Sequence, residues 1–254
     1  MMNAIWCHPA GAKLGNATMC YLFARAHAER IGADFVCSEW IGERVFALPK
    51  HGRPTSKMDK WPVRSELDLA PDESNVRITA YAQNEKAMIY TREWARDAIQ
   101  LKLPIEEVFT NTDAMEAFDN DDIVCHLRHG DYKGYGYPMV STASYLDAIM
   151  AHNLSGIDVA FLTEERPTPH GTLPAELSFL PDFYRMAYAP VLLRGNSSFS
   201  WVAGVLNKGR VLSPVITADM EGGREHRCTF VEGNWPRLTW LEGCGDLRMK
   251  GEAA

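Results

Sequence analysis

The pattern that most constrains the fold is an alternation of short apolar runs and helical spans separated by glycine. Residues 4–7 form an apolar run, residues 8–15 a glycine-containing turn, and residues 17–30 repeat apolar side chains at helical spacing. Gly32 stands where a helix C-cap is expected, and residues 34–36 begin the next apolar run. Strand, turn, helix, glycine and strand in this order predict an α/β unit.

A second series of the same kind begins near Asp119. Its predicted strands are 123–127, 159–162, 191–193 and 211–212, and its predicted helices are 144–152, 182–189 and 199–206. Between the two series, the sequence predicts a loop at 49–74, a strand at 78–81 and a helix at 91–102.

The repetition predicts an α/β fold of two Rossmann-like lobes, residues 1–118 and 119–254, with a hinge near 112–122. Whether the tail packs back on the first lobe is left open. In open α/β sheets, ligands bind beyond the carboxyl ends of the strands. Motifs at predicted strand ends are therefore the first places to look for a site.

Length and charge exclude several classes of protein. The 254 residues suffice for one large domain or two compact ones. With 26 Lys and Arg against 33 Asp and Glu, the net charge of −7 argues against nucleic acid as a partner. No apolar run reaches the ~18 residues of a transmembrane helix, and residues 1–15 lack the features of a secretory signal. We expect a cytoplasmic protein, with peripheral membrane contact and oligomeric state left open.

The six cysteines are scattered and form no C-x-x-C pair, which disfavours a structural zinc site. Without an export signal, reduced and mostly buried thiols are favoured over disulfides.

The first motif, GAKLGN at 11–16, precedes a predicted helix. Its glycines allow close approach of the backbone, and the N–H groups of a helix start suit an anion or a polar ligand. An ordinary turn between strand and helix is the competing interpretation, because the motif matches neither a Walker A loop nor G-x-G-x-x-G. The polar segment YAQNEK at 81–86 indicates by itself only a loop.

The second motif, HLRHGDY at 126–132, lies at the end of a predicted buried strand. A guanidinium at Arg128 is costly to bury unless it meets an anion, and its shape matches phosphate oxygens. Asp131 is placed to hold the arginine or a ligand hydroxyl. The competing interpretation is a structural pair between Arg128 and Asp131.

The same segment also allows a metal centre, since His126, His129 and Asp131 could converge at the strand end. A metal-dependent phosphoesterase is nevertheless the less favoured function, because no second ligand cluster is evident. A serine hydrolase is disfavoured by the lack of a G-x-S-x-G motif.

The third motif, NSSFSW at 196–201, coincides with a predicted helix start. Serine hydroxyls around exposed N–H groups, at the positive end of a helix dipole, favour a diphosphate. Serines that act only as an N-cap are the competing interpretation.

Taken together, these motifs resemble those of the bacterial α-1,2-fucosyltransferases and, more distantly, the α-1,6- and protein O-fucosyltransferases. The N-terminal signature retains Leu14-Gly15-Asn16, Tyr21 and Phe23-Ala24-Arg25-Ala26. The signatures follow the family order at 11–28, 81–86, 126–132, 145–149, 162–165 and 196–207. The resemblance covers about residues 10–215.

The resemblance implies a GT-B fold, with acceptor binding by the first lobe and nucleotide-sugar binding by the second. It implies transfer of L-fucose from GDP-fucose to a hydroxyl of a glycan acceptor, with inversion. It also implies that no metal or other cofactor is required, the GDP-sugar being the donor substrate.

The resemblance further assigns roles to individual residues. Arg128 is expected to bind the β-phosphate and to stabilise the departing GDP, because negative charge develops on the leaving group. Asp131 is the first candidate for a general base and His126 the second, although both could instead hold Arg128. The expected donor-binding residues are Gly15, Asn16, His129, Glu164, Ser197, Ser198, Phe199 and Ser200.

Several positions depart from the family pattern. His129 stands where the family has a second arginine, and Ala17 where it has glutamine. Glu164 and Glu165 replace an aspartate pair, and Val202 replaces a tryptophan. These departures keep two alternatives open: a donor other than GDP-fucose, and a catalytically weakened GDP-sugar-binding protein.

Overall fold

Both halves of the chain contain parallel sheets connected by helices, so the predicted mixed α/β class is confirmed. The computed structural model describes residues 3–9, 11–79, 82–83, 87–110, 112–154, 158–165, 167–169, 171–216, 220 and 223–232, and the backbone of 238–239 and 248–249. Two compact units divide the chain, Met1–Lys102 and Leu103–Ala254. The lobe boundary at 118/119 and the roles assigned to the lobes stay predictions.

The first unit is built on a four-stranded parallel sheet of order β2-β1-β4-β3. Its strands are β1 (Ala4–Cys7), β2 (Asp34–Cys37), β3 (Val63–Arg64) and β4 (Val76–Ile78). Its helices are α1 (Leu14–Ile31), α2 (Gly42–Val45) and α3 (Arg92–Ala98), with a 3-10 turn at Met58–Lys60.

Helix α1 begins three residues before the predicted start at 17. Lys13 has an extended backbone and its carbonyl accepts the N–H of Ala17 at 3.0 Å, so the first helical turn already includes Gly15 and Asn16. The helix ends at Gly32 in the left-handed conformation (φ 65°), as the sequence predicts.

Helix α3 is shorter than the predicted span 91–102. After Ala98 the backbone leaves the helical conformation, and Leu101 forms an antiparallel bridge with Phe46. Strand β4 begins two residues before the predicted start and ends at Ile78, where the parallel pairing with Cys7 ends, whereas residues 80 and 81 of the predicted strand lie outside the described residues. Pairing with distant segments therefore decides both boundaries.

The second unit is built on a five-stranded sheet of order β11-β9-β8-β5-β7, parallel except for β11. Its strands are β5 (Ile123–Leu127), β7 (Val159–Thr163), β8 (Val191–Leu193), β9 (Arg210–Pro214) and β11 (Phe230–Glu232). Two short strands, β6 (Met139–Val140) and β10 (Glu225–His226), pair with each other, as do β12 (Leu238–Thr239) and β13 (Arg248–Met249).

Two helices of this unit precede its first strand, β5, and the others lie between its strands along the chain. The helices are α4 (Ile105–Val108), α5 (Thr112–Asp119), α6 (Gly130–Tyr135), α7 (Thr142–Ala151), α8 (Leu180–Tyr188) and α9 (Ser198–Leu206), with a 3-10 turn at Ala175–Leu177. The structure thus places a helix, α5, over most of the segment 112–122 that the alternation predicts as a hinge.

The strand order reverses next to β5. The chain passes from β5 to β7 on one side and then returns to β8 on the other side. Such a reversal is expected to leave a crevice at the carboxyl ends of the two adjacent strands whose connections run to opposite sides, and open α/β sheets bind ligands there. In this unit the expected position is beyond β5 and β8.

Five cysteines belong to the described residues, and all are buried free thiols: Cys7, Cys20, Cys37, Cys125 and Cys228. Within the part of the chain that the structure describes, no helix is both long and apolar enough to cross a membrane.

Asn207 ties together the ends of α8 and α9, and this contact generates a prediction on stability. Its buried amide donates to the carbonyls of Met186 (2.8 Å) and Ala189 (2.9 Å). We expect Asn207→Ala to lower the free energy of unfolding by about 3 kcal/mol, because two carbonyls lose their donor. Urea unfolding followed by circular dichroism measures the change.

The matched control is Lys208→Ala, at the exposed neighbouring position, which we expect to change the free energy by less than about 0.5 kcal/mol. Equal effects of the two substitutions would contradict the assignment of Asn207 as a connector.

Candidate active site

Arg128 lies just beyond β5, and two carboxylates surround its guanidinium. Its side chain is 14% exposed, and Nη2 donates to Asp131 Oδ2 at 2.8 Å. Nη1 contacts Glu164 Oε1, and the buried Nε has no hydrogen-bond partner among the described residues. The structural pair of Arg128 and Asp131 that the sequence suggests is therefore present, together with a second acidic partner.

The contact with Glu164 follows from the sheet register. Strands β5 and β7 pair in parallel with Leu127 opposite Thr163, so Arg128 and Glu164 occupy neighbouring positions at the carboxyl edge. Gly130 leaves the space for this carboxylate, because a Cβ at that position would overlap Glu164 Oε2. An anion that binds Arg128 must share the guanidinium with two acids or displace one of them.

His129 is held by the backbone of β6. Its Nε2 donates to the carbonyl oxygen of Val140 at 3.2 Å, which fixes the orientation of the ring. A role in donor binding, for which the ring would need its other nitrogen, stays a prediction.

His126, on β5, is buried and neutral. Burial, and secondly the positive charge of Arg128, lower its pKa from 6.5 to about 3. Its ring packs 6.0 Å from the ring of Phe199, and Nδ1 has no hydrogen-bond partner among the described residues. A ring with this pKa accepts a proton only weakly at neutral pH.

The turn between β8 and α9 contains the predicted serine motif. Ser197 is the N-cap, and its Oγ accepts the N–H of Ser200 at 3.3 Å. The Ser200 hydroxyl donates to the Gly195 carbonyl at 3.0 Å. Both serines are buried, so their hydroxyls maintain the shape of the turn.

Ser198 and Phe199 are the partly exposed members of this motif. Their N–H groups form no hydrogen bond with the described residues, as expected for the first two positions of a helix. The ring of Phe199 packs against Phe183, with ring centroids 5.2 Å apart. The start of α9 thus offers two N–H groups at the positive end of its dipole.

Arg194 also belongs to this turn, although it is part of none of the sequence motifs. It is 1% exposed, and it donates from Nε to Ser213 Oγ (2.7 Å) and from Nη1 to the Gly195 carbonyl (3.0 Å). Burial lowers its pKa to about 10, so the guanidinium remains charged at neutral pH. The available signal was an arginine directly after the apolar run 191–193.

The two remaining candidates, Gly15 and Asn16, lie in the first unit, in the first turn of α1. Asn16 Oδ1 accepts a hydrogen bond of 2.5 Å from Gln83 Nε2. Gln83 belongs to the segment 81–86, of which residues 81 and 84–86 lie outside the described residues. The structure therefore joins two separate sequence motifs within this unit.

The histidines and the aspartate of the proposed metal pattern have separate surroundings. His126 is enclosed near Phe199, His129 donates to Val140, and Asp131 pairs with Arg128. In the described ranges, no group of three or more His, Cys, Asp or Glu side chains is placed to hold a metal ion.

The low pKa of His126 predicts how stability depends on pH. Since the folded pKa lies below 6.5, the unfolded chain takes up the proton first as the pH falls. We therefore expect the free energy of unfolding to fall between pH 6.5 and 3, by up to about 1.4 kcal/mol per pH unit from this group. Urea unfolding of the wild type and His126→Gln at pH 7, 6 and 5 separates this contribution.

An NMR titration, with the signals assigned by the His126→Gln variant, gives the direct measurement. We expect the His126 ring to stay neutral from pH 8 to pH 5. A midpoint near 6.5 would show that the ring is hydrated and would refute this description of its surroundings.

Solved structures of fucosyltransferases are similar to this chain. NodZ α-1,6-fucosyltransferase of Bradyrhizobium, soaked with GDP-fucose, has a TM-score of 0.52 at 16% identity and matches 93% of this chain and 100% of its own. Arabidopsis thaliana FUT1, a mutant in complex with GDP, has a TM-score of 0.54 at 10% identity and matches 98% of this chain and 83% of its own.

No protein-family model and no curated protein matches the sequence. The resemblance to the α-1,2 group therefore rests on the sequence motifs alone. What the solved structures establish is a likeness of fold: the chain is similar in fold to fucosyltransferases.

Proposed function

We propose that this chain is an inverting glycosyltransferase that moves L-fucose from GDP-fucose to a hydroxyl of a glycan acceptor. The observation that carries the proposal is the carboxyl edge of the second sheet, where Arg128 and the start of α9 follow the two strands that flank the crevice. The fold likeness to NodZ and FUT1, whose structures were determined with GDP-fucose and GDP, supports it.

The proposed chemistry matches these groups. The acceptor oxygen forms a bond to the anomeric carbon while the bond from that carbon to the β-phosphate oxygen breaks, and the electron pair leaves with GDP. The Arg128 guanidinium and the N–H groups of Ser198 and Phe199 stabilise the negative charge that develops on the departing GDP. These groups are already held in place, so little reorganisation is needed during the reaction.

The acceptor proton requires a base, for which Asp131 remains our first candidate. Its carboxylate is bound to Arg128 but is 32% exposed, so one face is open to solvent. Its role is proposed, as are the donor contacts of Gly15, Asn16, His129, Glu164 and Ser197–Ser200. We also propose a GT-B enzyme in which the first unit binds the acceptor and the second the nucleotide sugar.

We further propose that the reaction needs no metal. A guanidinium and a helix start supply positive charge at the leaving group. In metal-dependent enzymes a divalent cation stabilises the negative charge at this position. Equal transfer rates with EDTA and with added Mg²⁺ support this proposal, whereas transfer that is lost with EDTA and restored by a divalent ion would contradict it. The phosphoesterase alternative requires instead the hydrolysis of a phosphate ester that EDTA abolishes and a divalent ion restores.

A thermal-shift comparison tests the donor. We expect GDP and GDP-fucose to raise the melting temperature, because a ligand at 100 times its Kd stabilises the folded state by about 2.7 kcal/mol. GDP-mannose and UDP-sugars, at equal concentration, are the comparison ligands. A larger shift with a UDP-sugar than with GDP-fucose would overturn the choice of donor.

Substitution of Arg128 tests the transfer step. We expect Arg128→Ala to lower GDP release from GDP-fucose and an acceptor panel by at least about 100-fold, the cost of losing one oriented charge at a leaving group. Arg128→Lys should recover little, because an ammonium does not reproduce the guanidinium fork. The matched control is Arg210→Ala, which removes an exposed arginine paired with Glu232 and should leave the rate unchanged.

GDP-sugar binding without transfer is the second candidate function. His129, which stands where the family pattern has a second arginine, favours it. The contacts of Arg128 with Asp131 and Glu164 also favour it, since the two acids offset the positive charge that would stabilise the departing GDP. A chain of this kind would show the GDP thermal shift but release no GDP with any acceptor of the panel. Near-normal GDP release in Arg128→Ala would exclude the role that we assign to Arg128 in transfer.

A further inference from the structure

The second sheet contains a buried positive charge that no carboxylate of the described residues balances. Among the described residues, Arg194 forms its hydrogen bonds with a serine hydroxyl and a backbone carbonyl, and no ion pair. Arg128, in contrast, is partly exposed and contacts two carboxylates. A buried guanidinium without a counter-charge is costly, and such groups are normally paired.

The register of the sheet explains how Arg194 reaches its partners. Strand β8 pairs with β9 with Leu193 opposite Leu212, so the next residues, Arg194 and Ser213, are neighbours. The hydrogen bond from Arg194 Nε to Ser213 Oγ anchors the guanidinium, and Nη1 then reaches forward to the carbonyl of Gly195. Arg194 is therefore oriented along the start of the turn.

Hydrogen bonds hold two successive carbonyls of this turn inside the protein. The Gly195 carbonyl accepts from both Arg194 and Ser200, and the Asn196 carbonyl accepts from the Tyr132 hydroxyl at 3.1 Å. The N–H groups of Ser198 and Phe199 have no acceptor within the part of the chain that the structure describes. Arg194 thus contributes to presenting these N–H groups at the start of α9.

Buried polar atoms without partners border the same turn. His126 Nδ1 lies against Gly195, where a Cβ would come within 3.0 Å of it, and it has no hydrogen-bond partner among the described residues. Asn196 Oδ1 likewise has no hydrogen-bond partner among the described residues, and Asn196 is 1% exposed. An imidazole carries no negative charge, so His126 does not balance the charge of Arg194. Besides the buried charge of Arg194, these atoms are a second indication that a ligand binds at this turn and supplies hydrogen-bond partners.

We propose that Arg194 is a positioning residue for the phosphate groups of a nucleoside diphosphate at the start of α9. It orients the turn through the Gly195 carbonyl and adds a buried positive charge behind the N–H groups of Ser198 and Phe199. The ligand supplies the missing negative charge. That the ligand contains a nucleoside rests on the proposed function. That it contains phosphate groups follows from the surroundings of Arg194 and does not depend on the proposed function.

The proposal has a specific consequence for ligand discrimination. The positive charge of Arg194 attracts phosphate groups but not a neutral nucleoside. Loss of Arg194 should therefore lower the affinity for GDP and inorganic pyrophosphate and leave the affinity for guanosine almost unchanged. A purely structural arginine would affect all three ligands alike, through damage to the turn. The ratio of GDP to guanosine affinity therefore separates the two roles.

The experiment uses the full chain and isothermal titration calorimetry with GDP, guanosine and pyrophosphate. We expect Arg194→Met to weaken GDP and pyrophosphate by at least about tenfold, the effect of a unit charge several ångströms away at an effective dielectric constant near 20, and guanosine by less than about twofold. Arg194→Lys should recover part of the loss, because it keeps the charge.

Ser213→Ala is the matched control, because it removes one anchor of Arg194 and keeps the charge. We expect it to lower the melting temperature while the ratio of GDP to guanosine affinity stays within about twofold of the wild type. If Arg194→Met does not fold, the comparison of Arg194→Lys with Ser213→Ala tests the same ratio.

Three results would overturn the proposal: equal losses for GDP and guanosine in Arg194→Met, an equal loss of GDP affinity in Ser213→Ala, or a wild type that does not bind pyrophosphate. A wild type that binds pyrophosphate in an Arg194-dependent manner, but neither GDP nor guanosine, would refute the proposed function and leave the inference on Arg194 intact.

Discussion

The parallel pairing of β5 with β7 on one side and β8 on the other is the constraint on which the candidate site depends. Because β5 and β7 are parallel, with Leu127 opposite Thr163, the residues that follow these two strands are placed side by side at the carboxyl edge. Arg128 consequently meets Glu164, 36 positions later in the chain. A change of register by one residue would direct these side chains to the opposite face of the sheet.

The two arginines at this edge have opposite electrostatic surroundings. Arg128 is partly exposed and is balanced by carboxylates, whereas Arg194 is enclosed and bound to neutral acceptors. The first can exchange a carboxylate for a phosphate at little cost in solvation, because its partners are partly exposed. The second is held by hydrogen bonds to Ser213 and to the Gly195 carbonyl, and our proposal is that it adds positive potential to the turn at the start of α9.

Much of the fold could be predicted from residue order, since the strands at 123–127 and 191–193 have the bounds that the apolar runs predict. Errors occurred where distant pairing overrides local preference, as at the early end of α3 beside Phe46. The serine motif illustrates the limit for the site. Its residue types suggest a ligand, but only packing shows that Ser197 and Ser200 are buried and that Ser198 and Phe199 are partly exposed.

The sequence by itself determined the α/β class, the position of Arg128 at a strand end and the helix start after Asn196, because these depend on local periodicity and on capping residues. Only the tertiary structure decided which charges meet. Glu164 as a partner of Arg128, the neutral state of His126 and the unbalanced charge of Arg194 depend on burial and on strand register. Desolvation and the pairing of charges arise from segments far apart in the chain, so no local pattern encodes them.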